Sequence, residues 1–326
     1  MADHSHPPDS SAVPARTSHR PGAGTLALAA LAATAAWTAE RARRAERELP
    51  PTGRLLTVDG VQLHVLERGG GPPVLLLHGA LNTHADFVAS GLVERLSRHH
   101  RVIAIDRPGY GHSRRPRGRR WTPQAQGALL LKALRQLGAE RPKIVAHSMG
   151  TLVAMSMALQ HPEAVRSLVL VSGYYYPSAR VDAWLTAPVG WPVLGDVLRY
   201  TVANLAGRAL LNSEVRGMFA PQPVPDGYVQ TLGRELLLRP QQLRANAEDA
   251  GSMVPAVQAM QPGYHHLAVP LSLIAGADDI VVDTQSHSMR LHRAVAQSRL
   301  HLLPGVGHMA HHADPQCVVD AVELAV

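Results

Sequence analysis

Lys143-Ile144-Val145-Ala146-His147-Ser148-Met149-Gly150-Thr151-Leu152-Val153-Ala154 is the stretch on which the fold of this chain turns. A short apolar run leads into a serine flanked by small residues, and the amphipathic stretch Thr151–Leu159 follows. Strand, tight turn and helix in that order predict a nucleophile elbow. Such a turn holds the serine in a strained backbone conformation and lifts its hydroxyl above the sheet. The first N–H groups of the following helix lack intrahelical partners, so they can face a developing negative charge. Residues two before and two after the serine must be small, because strand and helix pass closely there. Gly150 meets that need, and Ala146 stands where glycine is more usual. Ser-x-Gly between apolar runs also arises by chance, so the reading depends on partners elsewhere in the chain.

Outward from the elbow the same alternation repeats. Arg54–Val58 and Val61–Arg68 alternate in polarity around Asp59-Gly60, the dipeptide of a two-residue hairpin turn. Val74–Leu77, Arg101–Ile105, Ser167–Val171, Leu271–Ala275 and Leu300–Leu303 are further apolar runs of strand length. Helical stretches separate most of them; one starts at Thr122-Pro123, a cap followed by first-turn proline, and ends near Leu137-Gly138. Strands apolar on both faces, alternating with helices, predict an α/β fold. Its mainly parallel twisted sheet would have about eight strands, with helices on both faces. The rhythm lapses between Gly173 and Leu267, where prolines scatter among helical pieces such as Asp196–Leu211. A helical cap over about residues 174–266 is therefore expected, inserted before the acid-bearing strand of a domain covering residues 50–326.

Composition narrows the classes. The 326 residues are 46% hydrophobic, enough for a large core, and with only two phenylalanines Leu, Val and Ala must fill it. The +7 net charge is almost all arginine, since Lys132 and Lys143 are the only lysines. Arg114-Arg115-Pro116-Arg117-Gly118-Arg119-Arg120 reads as a solvated loop rather than a site for anionic lipid or an acidic substrate. No aromatic interleaving accompanies it, which argues against nucleic acid as a partner. The single Cys317 excludes an intrachain disulfide.

Residues 1–23 are polar, rich in Pro, Ser and His, and expected to be disordered. Residues 24–39 form an uncharged apolar stretch, short of the ~20 residues a spanning helix needs. Arg16 and Arg20 ahead of it fit a signal peptide. Trp37 and the following Arg41, Arg43, Arg44 and Arg47 favour an uncleaved membrane anchor, with the catalytic part on the cytoplasmic side. Membrane association is the expectation; export after cleavage, or a helix merely packed on the domain, are the alternatives.

A serine hydroxyl becomes a nucleophile when a base takes its proton and a carboxylate orients that base. His308 follows the Leu300–Leu303 run through Pro304-Gly305-Val306-Gly307, where its ring can swing over a sheet edge. His311 and His312 hint at a metal site, but without a matching cysteine or carboxylate set they read as a surface pair at a helix start. No metal or cofactor is expected. The acid should follow Leu271–Ala275, where Asp278, Asp279 and Asp283 compete. An oxyanion hole needs two convergent N–H groups. Met149, directly after the nucleophile, supplies one, and the turn His78-Gly79-Ala80-Leu81 after Val74–Leu77 should supply the other.

With Asp106-Arg107-Pro108-Gly109-Tyr110-Gly111-His112-Ser113 added, these motifs resemble the α/β-hydrolase superfamily in its order, from Leu55 to Val326. The resemblance implies Asp279 as the acid, through Gly276 three residues before it, and Ala80 as the second oxyanion donor. It implies a scaffold role for the Pro-Gly turn and leaves Asp283 as a helix cap. Ala146 and Asp283 depart from the family pattern without removing a chemical group. The implied activity is cleavage of a carboxylic ester or related acyl bond through Ser148, His308 and Asp279, by way of an acyl-enzyme. Serine at 148 argues against haloalkane dehalogenases and epoxide hydrolases, which use aspartate there. Lactonase, amidase, carbon–carbon bond hydrolase and cofactor-free haloperoxidase chemistry remain alternatives, as does a catalytically silent receptor, accessory or scaffold protein. The cap's apolar content, with Tyr174-Tyr175-Tyr176, Trp184 and Trp191, points to an apolar pocket for a small-molecule acyl substrate.

Overall fold

A computed structural model describes Ala2, residues 22–179 and residues 181–324. The segment expected to be disordered, residues 1–23, lies outside the described residues apart from Ala2, Gly22 and Ala23.

The domain opens with the expected hairpin. β1 (Arg54–Val58) and β2 (Val61–Arg68) pair antiparallel down to Val58 opposite Val61. Asp59 and Gly60 have φ of 48° and 74°, the two positive values a two-residue turn needs to match strand twist. Six strands follow: β3 (Pro73–Leu77), β4 (Arg101–Ile105), β5 (Lys143–His147), β6 (Ser167–Val171), β7 (Leu271–Gly276) and β8 (Arg299–Leu303). They form one sheet in the order β1-β2-β4-β3-β5-β6-β7-β8, parallel from β4 to β8. Because strand side chains alternate, each apolar strand feeds two helical layers. Leu75 and Leu77 of β3 join one core with α2 (Pro123–Gln136) and α3 (Gly150–Gln160). Val74 and Leu76 join the other, with Phe87, Leu92 and Val318 of α8 (Pro315–Leu324). Thr122 caps α2 as read from the sequence, its Oγ1 accepting from Ala125 N–H at 3.2 Å.

Between β6 and β7 the cap comprises α4 (Val181–Gly190), α5 (Leu194–Tyr200), α6 (Val202–Phe219), two short helices and α7 (Pro240–Met260). The helix expected over Asp196–Leu211 is broken at Thr201, whose φ and ψ of −128° and −107° leave the helical region. Leu211, Val215, Phe219, Tyr228 and Leu237 pack as the cap's own core against Met309. Tyr174, Tyr175 and Tyr176 are buried, but Trp184 and Trp191 are 78% and 53% exposed. Those two tryptophans face outward, which corrects that expectation.

The apolar stretch 24–39 belongs to one longer helix, α1 (Ala23–Glu48). Its second half docks on the cap through buried Thr38 and Ala45, while Arg41 and Arg208 share Glu235 and Arg239 pairs with Glu46. No helix among the described residues is long and apolar enough to cross a membrane, so α1 is not the spanning helix that the anchor reading entertained.

Candidate active site

The strand order reverses direction at β3: β4 lies on one side of it and β5 on the other. At such a switch point two loops leave the carboxyl ends of neighbouring strands in opposite directions and open a crevice. Leu77 pairs with Ala146 there, so the turn after β3 and the elbow after β5 emerge side by side.

Ser148 is the first residue past β5 and carries φ of 51°, a left-handed conformation unusual for a residue with a side chain. Its N–H donates to Val171 O at 2.9 Å, and its carbonyl accepts from Thr151 N–H and Oγ1–H at 2.9 and 2.6 Å. The strained turn is thus held from both sides. The space is as tight as the motif implies: a Cβ on Gly150 would run into the carbonyl oxygens of Leu77 and His78. Ala146, fully buried, keeps its methyl within the core.

Asp279 lies three residues past β7 and His308 five past β8. His308 Nδ1–H donates to Asp279 Oδ2 at 2.8 Å, with both side chains buried. The other oxygen of Asp279 accepts from Val281 and Val282 N–H at 2.8 and 2.9 Å. Asp278 is exposed and its side chain makes no hydrogen bond to a described residue, while Asp283 accepts from Ser286 N–H as a helix cap. Of the three competing aspartates, Asp279 is the one whose side chain bonds to His308. Ser148 Oγ and His308 Nε2 bond to no described residue.

The turn after β3 places the Ala80 N–H, the second oxyanion donor expected from the sequence. A Cβ on Gly79 would lie 3.0 Å from Ser148 Cβ, so this turn rests against the nucleophile. The N–H groups of Ala80 and Met149 have no hydrogen-bond partner among the described residues. His78 supports the turn from below. Its Nδ1–H donates to Gly79 O at 2.8 Å, and its Nε2 accepts from Arg107 N–H at 3.0 Å. Burial, reinforced by the Arg107 guanidinium, pushes its pKa down to about 3, so the ring stays neutral.

Arg107 went unremarked in the sequence except as part of the Pro-Gly turn. Fully buried, it donates to His78 O at 2.9 Å and Gly79 O at 3.0 Å, and it reaches Asp249 of α7 at 2.6 Å. Arg115, Tyr110 and Gln126 complete the shell around Asp249. Burial alone would raise the Asp249 pKa, but Arg115 and Arg107 together hold it below the usual carboxylate range. Arg115 is therefore no part of a solvated loop; its neighbours Arg114, Arg117, Arg119 and Arg120 are exposed as expected.

His147 was also missed. Its ring lies 4.9 Å from that of His308 and 4.4 Å from that of His311, and its Nε2–H donates to His308 O at 3.2 Å. Burial, with His311 and His308 nearby, keeps its pKa well below the ordinary histidine value. His311 and His312 are not a surface pair. Both donate through Nε2–H to the fully buried Asp86, at 2.9 and 2.8 Å, and Tyr228 adds a third bond at 2.8 Å. That carboxylate, absent from the sequence-level reading, lies 225 residues away from His311, in the short helix Ala85–Ala89.

Comparison with known proteins agrees with this architecture. A 2-hydroxymuconate semialdehyde hydrolase of Pseudomonas putida is 26% identical over 265 residues, covering 80% of this chain and 89% of that protein. An sn-1-specific diacylglycerol lipase of Mus musculus is 26% identical over 256 residues, 77% of this chain and 80% of the lipase. A thermophilic esterase from Thermogutta terrifontis superposes with a TM-score of 0.69 at 20% identity, over 83% of this chain and 97% of the esterase. With its eight-stranded sheet, its elbow and a family match over residues 72–315, the chain belongs to the alpha/beta hydrolase fold family.

Proposed function

We propose that the protein is a serine hydrolase that cleaves a carboxylic ester or closely related acyl bond. The observation that carries this reading is a serine strained at φ 51° beside the switch point of the sheet, with the His308–Asp279 pair following β7 and β8 at the same end. His308 Nε2 takes the Ser148 proton as Oγ attacks the carbonyl carbon. The resulting oxyanion is held by the free N–H groups of Ala80 and Met149. Collapse of the tetrahedral intermediate passes the proton from His308 to the leaving alcohol and leaves an acyl-enzyme. Water, deprotonated by the same histidine, then releases the acid and restores Ser148. Asp279 fixes the Nδ1–H tautomer and stabilises the imidazolium in both halves. No step calls for a metal or cofactor.

Support also comes from the relatives. One is named a diacylglycerol lipase, which fits an ester substrate, and another is named a hydrolase of 2-hydroxymuconate semialdehyde. The ester reading predicts turnover of short-chain aryl esters and a fall of about 10⁴-fold or more in Ser148→Ala. Equal turnover by both proteins would sink the assignment of Ser148. A wild-type protein inert toward every acyl chain length would favour the silent receptor or scaffold.

A further inference from the structure

The cap carries an outer face that the catalytic reading does not use. Among the described residues, fourteen of the twenty-one exposed large apolar side chains lie on α1 or between α4 and α6. Trp184 and Leu185 project from α4, at 78% and 64% exposure, and Trp191 and Val193 from the turn after it. Leu194 and Val197 on α5, then Val202 and Leu205 on α6, continue the face. The face is continuous because α4 packs on α5, α5 on α6, and α1 on α5. Contiguous apolar surface of this extent is rare on a monomeric protein unless something covers it.

Two features decide what that is. The first is the amino-terminal end of α1. Residues 23–33 contain no charged side chain and are exposed on every side of the helix. At 1.5 Å per residue they reach about 16 Å, roughly half of a ~30 Å hydrocarbon core, too short to cross and long enough for one leaflet. The second is charge. The Asp196–Arg117 ion pair ties the arginine-rich loop to α5, at the border of the apolar face. Of the arginines lining the two grooves there, Arg117, Arg119 and Arg120 are exposed. Asp196 and Glu248 are the only carboxylates in either lining. A second copy of the chain would bring one basic rim against another, whereas a layer of anionic headgroups would neutralise it.

We propose that the outer face of the cap and the uncharged end of α1 form one docking surface for an anionic phospholipid bilayer, entered from a single leaflet without spanning it. The proposal is independent of the chemistry at Ser148. Flotation of the full-length protein with phosphatidylcholine vesicles, with and without phosphatidylglycerol, tests it. The protein should float with the phosphatidylglycerol vesicles and far less with phosphatidylcholine alone. The double variant Trp184→Glu with Val193→Glu should lower the bound fraction by about tenfold or more, because both side chains would leave the hydrocarbon. Both positions are exposed, so its melting temperature should match wild type. Failure of wild type to float, equal binding to both vesicles, or undiminished flotation of the double variant would each overturn the proposal. So would a wild-type dimer in light scattering that the double variant splits, since the face would then join two copies of the chain.

Discussion

Asp279 divides its two oxygens between two tasks. One takes the His308 Nδ1–H, and the other is pinned by the Val281 and Val282 N–H groups. Asp279→Asn should lower ester turnover by about 10⁴-fold, because an amide can present its NH₂ to His308 and favour the wrong tautomer. Asp278→Asn, at an exposed position, should stay within about twofold, an expectation for a surface group remote from the base. Parallel kcat measurements on the two variants check both, and a larger loss in Asp278→Asn would overturn the assignment. His78 gives a pH test. Its folded pKa of about 3 lies below the ordinary 6.5, so between those values the unfolded chain binds a proton that the folded protein refuses. Stability from this group is complete above pH 6.5 and is lost as pH falls toward 3. Unfolding free energies from urea titrations across that window should decline less steeply in His78→Gln, by up to about 1.4 kcal/mol per pH unit. Identical slopes would show that His78 does not carry this proton.

At the scale of elements, the oxyanion turn and the cap are one mechanical unit. Arg107 bonds the His78 and Gly79 carbonyls on one side and Asp249 of α7 on the other, so α7 is anchored to the turn that positions Ala80. Removing one partner leaves a buried charge unpaired, at a cost of about 3–5 kcal/mol. Asp249→Ala should therefore lower the melting temperature sharply and reduce ester turnover as well. Arg107→Met with Asp249→Leu should be less destabilised than the two single losses combined. Additive losses in that double-mutant cycle would mean the two residues act separately. The same contrast explains what could be read in advance. The hairpin, the eight strands and the Thr122 cap have local signatures: alternation around an Asp-Gly turn, short apolar runs and a cap followed by proline. The Arg107–Asp249 and Asp86–His311–His312 contacts join residues 142 to 226 positions apart, and no local pattern announces them. Trp184 and Trp191 misled for a related reason. Apolar residues in a cap ordinarily face inward, and only their packing shows that these do not.

Across the whole molecule, the sheet makes the site by bringing distant chain segments to one edge. Residues 80, 148, 279 and 308 span most of the chain, yet each follows the carboxyl end of β3, β5, β7 or β8. That is why the order of motifs along the chain could stand in for their geometry. Strand ends in a parallel sheet all face the same way, so a residue placed after a strand is placed at the site. The acid needed more, because three aspartates share one turn and only the His308 contact and the backbone pins on Asp279 separate them. The outer face of the cap carries no such signature, since its exposure follows from how α1, α4, α5 and α6 pack. Reaction with a fluorophosphonate probe tests the central claim most directly, because the probe phosphonylates a serine only where a base and an oxyanion hole converge on it. Intact-mass analysis should show one stoichiometric adduct on wild type, mapped to the peptide containing Ser148, and none on Ser148→Ala or His308→Ala. An unmodified wild-type protein, or an equal adduct on Ser148→Ala, would contradict the account.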